Sequence, residues 1–173
     1  QAGDDQLLQE MRRGYTNDQY RRLVERIRAK VPNVSLSTDL IVGFPGESEE
    51  AFQHSVKMLE DIQFDKVHAA AYSTRPGTIA ARKLEDNVAQ EDKKRRLETI
   101  ESLQENIASL INARLLGTTC AVLVEGLDKG QWKGRNRNDK LVFFKDDRNL
   151  IGETVDVRIQ RTSPWSLQGA AMV

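Results

Sequence analysis

The chain has 173 residues with 26 Lys/Arg against 26 Asp/Glu, 39% hydrophobic and 30% charged, which fits a globular protein of one domain, or a partial domain plus a small one. No apolar run approaches the roughly 20 residues of a membrane helix, and the polar start Gln1-Ala-Gly-Asp-Asp5 carries no secretory signal. A single cysteine, Cys120, excludes a disulfide framework, fits a reducing cytosol, and cannot by itself ligate an iron–sulfur or zinc site.

The zero net charge hides an asymmetry. Residues 1–111 hold 16 Lys/Arg against 19 Asp/Glu, whereas residues 112–173 hold 10 against 7. The basic excess gathers at Lys129, Lys133, Arg135, Arg137 and Lys140, opposed within that stretch by Asp139 and accompanied by Trp132. A basic cluster with an interleaved aromatic is the electrostatic footprint of a nucleic-acid surface; a solvated face is the plainer alternative.

In chain order, Asp4 to Arg13 reads as a short helix with Leu7, Leu8 and Met11 on one face, ended at Gly14. Thr16 and Gln19 form a capping box for a second helix with Tyr20, Leu23, Val24 and Ile27 at helical spacing, closed by Pro32. Val34 to Val42 is a strand. It delivers the loop Gly43-Phe-Pro-Gly46-Glu47, whose glycines let backbone groups approach a ligand closely, although a tight turn without ligand fits the same residues. A helix follows from about Glu49 with Phe52, Val56, Leu59 and Ile62 inward, then a strand over Lys66 to Tyr72. This alternation predicts parallel β/α units.

Ser73-Thr-Arg-Pro-Gly-Thr78 is a loop by its Pro-Gly. The longest helical pattern runs from about Gln90 to Leu116, with Leu97, Ile100, Leu103, Ile107, Leu110 and Ile111 as its stripe and Gly117 as its stop. From Thr118 the pattern changes to five short β-rich runs, Thr119–Glu125, Gln131–Arg137, Leu141–Lys145, Glu153–Thr162 and Leu167–Val173. Five such strands in about 55 residues predict a small closed barrel of the OB type. Alternation puts one of Phe143 and Phe144 inside it and the other outside. The expected domain boundary lies near Asn112 to Thr118, dividing the chain into 1–111 and 112–173.

Five segments taken together resemble the tRNA methylthiotransferases, a branch of the radical S-adenosylmethionine (SAM) enzymes. They are Gln1-Ala-Gly-Asp4, Met11-Arg-Arg-Gly-Tyr-Thr16, Ser37-Thr-Asp-Leu-Ile-Val-Gly-Phe-Pro-Gly-Glu47, Tyr72-Ser-Thr-Arg-Pro-Gly-Thr78 and Pro164-Trp-Ser-Leu-Gln-Gly169. The resemblance implies that residues 1–111 are the C-terminal part of a partial (β/α) radical-SAM barrel, and that residues 112–173 are a TRAM domain, an OB-like RNA-binding barrel. The family's C-x-x-x-C-x-x-C motif is absent, and the chain has no initiating Met, so it reads as the C-terminal portion of such an enzyme, inactive alone.

The same resemblance implies SAM and two iron–sulfur clusters (4Fe-4S) as cofactors of the full-length parent, with no cluster ligand in this chain. Its implied partners are a tRNA anticodon stem-loop and the amino-terminal part of the same polypeptide, in the cytoplasm and away from membranes. The implied SAM pocket takes Gln1, Arg13, the backbone of Ile41, Val42 and Gly43, Gly46 in the loop, and Tyr72; the plainer alternatives are Arg12 and Arg13 favouring the C-terminal end of the first helix by its dipole, and Ile41 and Val42 side chains in the barrel core. Arg75 would face adenine or tRNA phosphate. Lys133, Arg135, Arg137 and Lys140 would contact phosphates, while Trp132 or Phe143 would stack on an unpaired base. Trp165 would anchor the barrel against the first domain. His54 reads as solvated, and His68 as a strand residue able to face the cavity. The implied reaction adds a methylthio group to an isopentenylated adenosine next to the anticodon; the alternatives are a non-catalytic RNA-binding module and a methylthiotransferase acting on an aspartate of a ribosomal protein.

Overall fold

The computed structural model describes residues 1–172, which fall into two compact units that divide between Gln104 and Glu105. The first unit opens with α1 (Asp5–Glu10) and α2 (Asn17–Lys30). Asp4 caps α1 by accepting the Leu7 N–H at 2.9 Å, and Thr16 with Gln19 makes the expected capping box on α2. α1 stops before Gly14, because Arg12 takes the left-handed conformation (φ 57°) that glycine had been expected to supply.

Next come β1 (Ser37–Val42), α3 (Glu49–Ile62) and β2 (Lys66–Ala71). β1 and β2 pair in parallel from Ser37↔Lys66 to Val42↔Ala71. The strand begins three residues later than its composition predicts, since the Leu36 N–H is taken by the Asp65 carboxylate at 3.0 Å ahead of the ladder. Leu40 and Val42 on one face of β1 join Val24, Phe52, Leu59, Phe64 and Ile100 in the main core of this unit. Asp39 on the opposite face is exposed, Ile41 is half-buried, and the facing strand carries exposed His68. After the Ser73–Thr78 loop comes a short helix, α4 (Ile79–Lys83), capped by Thr78 accepting the Ala81 N–H. α5 (Gln90–Ala113) runs on from the first unit into the second.

In the second unit, β3 (Thr119–Asp128), β4 (Gln131–Asn136), β5 (Leu141–Lys145), β6 (Thr154–Thr162) and β7 (Leu167–Ala171) close into a barrel ordered β3-β4-β5-β7-β6. All pairings are antiparallel except β5 with β7. The bounds follow the predicted runs to within a few residues, and Val173 lies outside the described residues. Alternation fills the interior with Val122, Val142, Phe144, Val157, Ile159 and Leu167. Gly134 sits where a Cβ would lie 2.1 Å from the Leu123 carbonyl oxygen, so the close approach of β3 and β4 requires glycine there. Asn112 of α5 donates to the Ser163 and Pro164 carbonyls at 2.8 and 3.0 Å, holding the turn before β7. Trp165 in that turn is 58% exposed, so the anchoring at this corner comes from Asn112 and from Ser163 bonding Ser166, in place of the tryptophan.

Candidate functional site

The loop after β1 is built from below. Its Glu47 carboxylate accepts the Gly43 N–H and, at 2.7 Å, a hydrogen bond from Arg96 Nη1 of α5, and both side chains are buried. One turn earlier on α5, Lys93 pairs with Asp86 at 2.6 Å and places its ammonium 5.3 Å from the centroid of the Tyr72 ring. Tyr72 meets Phe44 edge-on at 5.2 Å, and its N–H extends the parallel ladder to the Val42 carbonyl at 2.8 Å. Burial pushes the Glu47 carboxyl above its ordinary range against the pull of the Gly43 N–H and Arg96. Glu49, half-exposed, is held down to about 2 by Arg95.

This network corrects the expected role of the glycines. Gly43 has φ +72°, and a Cβ on it would fall 2.3 Å from Lys93 Cγ, so the missing side chain makes room for lysine. The Gly43 N–H is used by Glu47, and the Gly46 N–H donates to Asn87 Oδ1 at 2.8 Å. Val42 is fully buried in the core and its carbonyl is spent on Tyr72. Gly43, Gly46 and Val42 therefore position the loop, and the two glycine N–H groups are already taken within it.

Other expected residues do come together. The Ile41 N–H donates to the Gln1 carbonyl at 3.1 Å, and the Gln1 side-chain carbonyl accepts from Arg13 Nη2, so the three sit at one strand end. A cavity of about 290 Å³ lies beside them, lined by Gln1, Tyr15, Tyr20, Ser37, Thr38 and Asp39. The Tyr20 and Thr38 hydroxyls bond at 2.9 Å on its wall. Arg75 is exposed in its loop, with its carbonyl accepting from Thr78 Oγ1 at 2.9 Å. The exposed Arg13 guanidinium, already bonded to the Gln1 amide, with the half-buried Ile41 and Tyr72, fits a charged ligand carrying an apolar ring such as SAM. An iron–sulfur cluster does not fit, because the sole thiol, Cys120, stands half-buried in the barrel with its pKa raised by burial.

The sequence reading missed Lys93, Arg96 and Asp86. The signal was present: extended one turn toward its start, the apolar face of α5 reads Lys93, Arg96, Ile100, with two cations at core positions.

In the barrel, β4 points Lys133 and Arg135 away from the core, and Arg137 stands exposed in the turn that follows. Arg135 is already engaged by Glu125 at 3.4 Å and Asp139 at 3.2 Å. Lys140 is half-buried beyond the turn. Trp132 is corrected: it is 7% exposed, packs in the barrel core, and donates its Nε1–H to the Asp146 carbonyl at 3.1 Å. Neither face of its ring is open to a base. Phe144 is the inward partner of the phenylalanine pair, and Phe143 is half-buried on the outer face.

Comparison with known proteins finds two families along the chain. Residues 1–59 match the Radical SAM superfamily and residues 113–172 the TRAM domain. A tRNA-2-methylthio-N(6)-dimethylallyladenosine synthase of Dehalococcoides mccartyi (strain CBDB1) is 55% identical over 97% of this chain and 40% of its own length. Proteins of the same name from Herpetosiphon aurantiacus (53% identical, 98% of this chain, 39% of theirs) and Natranaerobius thermophilus (43%, 98% and 38%) match likewise. A solved multidomain protein with nucleic acid binding domains from Streptococcus pneumoniae TIGR4 overlaps 34% of this chain and 23% of its own, with TM-score 0.29 and 17% identity, too loosely to bear on the fold. The chain spans about two-fifths of the length of the curated relatives it matches. Residues 1–59 thus match the Radical SAM superfamily, residues 113–172 match the TRAM domain, and the chain is a relative of the tRNA-2-methylthio-N(6)-dimethylallyladenosine synthases.

Proposed function

We propose that the protein is the C-terminal portion of a radical-SAM methylthiotransferase that adds a methylthio group to C2 of an isopentenylated adenosine next to the tRNA anticodon. In this reading residues 1–111 complete the SAM pocket and residues 112–173 hold the tRNA. The observation that carries it is the 55% identity to a synthase of that reaction over 97% of the chain, with the two family matches in the same order. Gln1, Arg13, Ile41 and Tyr72 would hold SAM, the group that supplies the methyl carbon and the radical chemistry. Arg13 would pair with its carboxylate, Ile41 would give the adenine an apolar contact, and the Glu47–Arg96 pair would keep the strand-end loop fixed. Cluster ligands are not among the residues of this chain, so they and the clusters belong to the longer protein proposed here, as does its cytoplasmic site of action. Among the described residues no helix is long and apolar enough to cross a membrane.

Deleting the encoding gene in its host and analysing digested tRNA by mass spectrometry tests the reading. Loss of 2-methylthio-isopentenyladenosine with accumulation of isopentenyladenosine is expected. Unchanged tRNA, with loss of a methylthio group from a ribosomal protein, would assign the activity to the protein substrate. One thiol and a closed barrel also favour a second statement about this chain by itself: alone it binds RNA and catalyses nothing.

A further inference from the structure

Pairing around the barrel brings together basic residues that the sequence keeps far apart. On the outer face Lys133 of β4 lies opposite Phe143 of β5, Phe143 opposite Gln168 of β7, and Gln168 opposite Arg161 of β6. The next outward row runs Lys145, Ala170, Arg158 on β5, β7 and β6. With neighbouring strands ~4.8 Å apart, Lys133 and Arg161 stand roughly 14 Å apart across the first row, and the second row lies about 7 Å along the strands. Lys145, Arg158 and Arg161 are exposed, and Lys133 and Phe143 are half-buried. Among the described residues none of these four cations makes an ion pair or a side-chain hydrogen bond, unlike Arg135 and Arg148, which are held by Glu125, Asp139 and Asp146. The outward acid of β6, Asp156, lies beyond Arg158 and pairs across to Ala121 of β3.

Four uncompensated cations around a phenylalanine, with the small Ala170 between two of them, form a face for an anion that also carries a flat ring. An acidic peptide would use the charges and leave the ring without a purpose. We infer that the β4–β5–β7–β6 face is an RNA-binding surface that stacks an unpaired base on Phe143 and takes the flanking phosphates on Lys133, Lys145, Arg158 and Arg161. This inference rests on the tRNA reading above and relocates its contact surface from the β4 hairpin to a face that β5, β6 and β7 complete. The observation behind it is the cross-strand register, which no linear segment displays.

The experiment titrates the intact chain with labelled, unmodified anticodon stem-loop RNA at several salt concentrations, with circular dichroism as the check on folding. Lys145→Gln/Arg158→Gln/Arg161→Gln should reduce the log–log salt slope by about 2 to 3, whereas Arg135→Gln/Arg137→Gln should change it by less than the loss of one contact. Phe143→Leu should weaken binding about 5- to 100-fold with little change in slope, and Phe143→Tyr should restore it. If the triple variant proves unfolded, Lys145→Gln alone should still lower the slope by about 0.7 to 0.9. A flattened slope in Arg135→Gln/Arg137→Gln with the triple variant unchanged overturns the face while leaving the tRNA reading intact. Phe143→Leu binding as tightly as the unaltered chain, or equal displacement of RNA by polyglutamate, overturns the stacked base. No salt-dependent binding by the unaltered chain overturns the tRNA reading and the inference with it.

Discussion

Gly43 shows how little a residue type says before its neighbours are known. In the sequence it is a permissive loop position next to a candidate ligand; in the fold it is the space that Lys93 occupies on its way to Asp86. Gly43→Ala should cost about 1–3 kcal/mol for its positive φ alone, and more for overlap with Lys93. Gly77→Ala, at φ +86° with nothing within 4 Å, should carry the backbone cost without the overlap. Urea denaturation of both variants tests the comparison, and equal losses would show that Lys93 moves aside freely. Arg96 supplies a second test, because its removal strands a buried carboxylate. Arg96→Met should lose about 3–5 kcal/mol at neutral pH, and Glu47→Gln added to it should recover part of that loss. Glu47 already has a raised pKa in the folded state, so its proton is held more tightly folded than unfolded. Its ionisation therefore subtracts stability as pH rises through the folded value. Without Arg96 the shift grows, and the deficit of Arg96→Met should shrink as pH falls toward 4.5. A deficit independent of pH would rule out the stranded carboxylate as its cause.

At the scale of elements, α5 ties the first unit together by facing α3 and the strand-end loop with cations. Arg95 reaches Glu49 in the first turn of α3 at 2.7 Å, beside the Arg96–Glu47 pair. The sign at Glu49 is opposite to that at Glu47. Its folded pKa of about 2 lies below the ordinary 4.5, so its contribution is complete above 4.5 and is lost as pH falls from there toward 2. Glu49→Gln should flatten this part of the acid-unfolding profile. High salt should flatten it too, since the pair is half-exposed and screened. An acid limb identical in Glu49→Gln and the unaltered chain would exclude Glu49 as the group responsible. The barrel obeys a different logic. There the alternation of inward and outward positions put Trp132 in the core and left Phe143 outside, a distinction that β4 and β5 show in their burial patterns and that composition, with an aromatic among basic residues, conceals.

For the molecule as a whole, two family matches lie in order along a chain of two compact units that holds a single thiol. Anaerobic reconstitution with iron and sulfide should leave the monomer without a stoichiometric cubane cluster, because the single Cys120 cannot replace three thiolate ligands and its thiol is further disfavoured as thiolate by burial. Iron and sulfide analysis with visible spectroscopy reads the result, and about four irons per monomer would contradict it.

The amino-acid sequence alone determined the order and type of nearly every element, since capping residues, helical stripes and short alternating runs are local signals that act within a few residues. Thr16 with Gln19 capped α2 as its spacing requires, and all five barrel strands fall on the runs that composition marks. It also determined the kinship, which the five motifs carry in linear order. Tertiary structure alone decided what those residues touch. Two cations on α5 lie buried beneath a loop some 50 residues earlier in the chain, where Arg96 holds the Glu47 carboxylate that takes the Gly43 N–H, while Asn87 takes the Gly46 N–H. Barrel closure set Lys133, Phe143 and Arg161 in one row while a one-residue alternation turned Trp132 inward. The reason is the same in both: burial and charge pairing are settled between segments distant in the chain, and local periodicity fixes which face a residue takes without fixing what that face will meet.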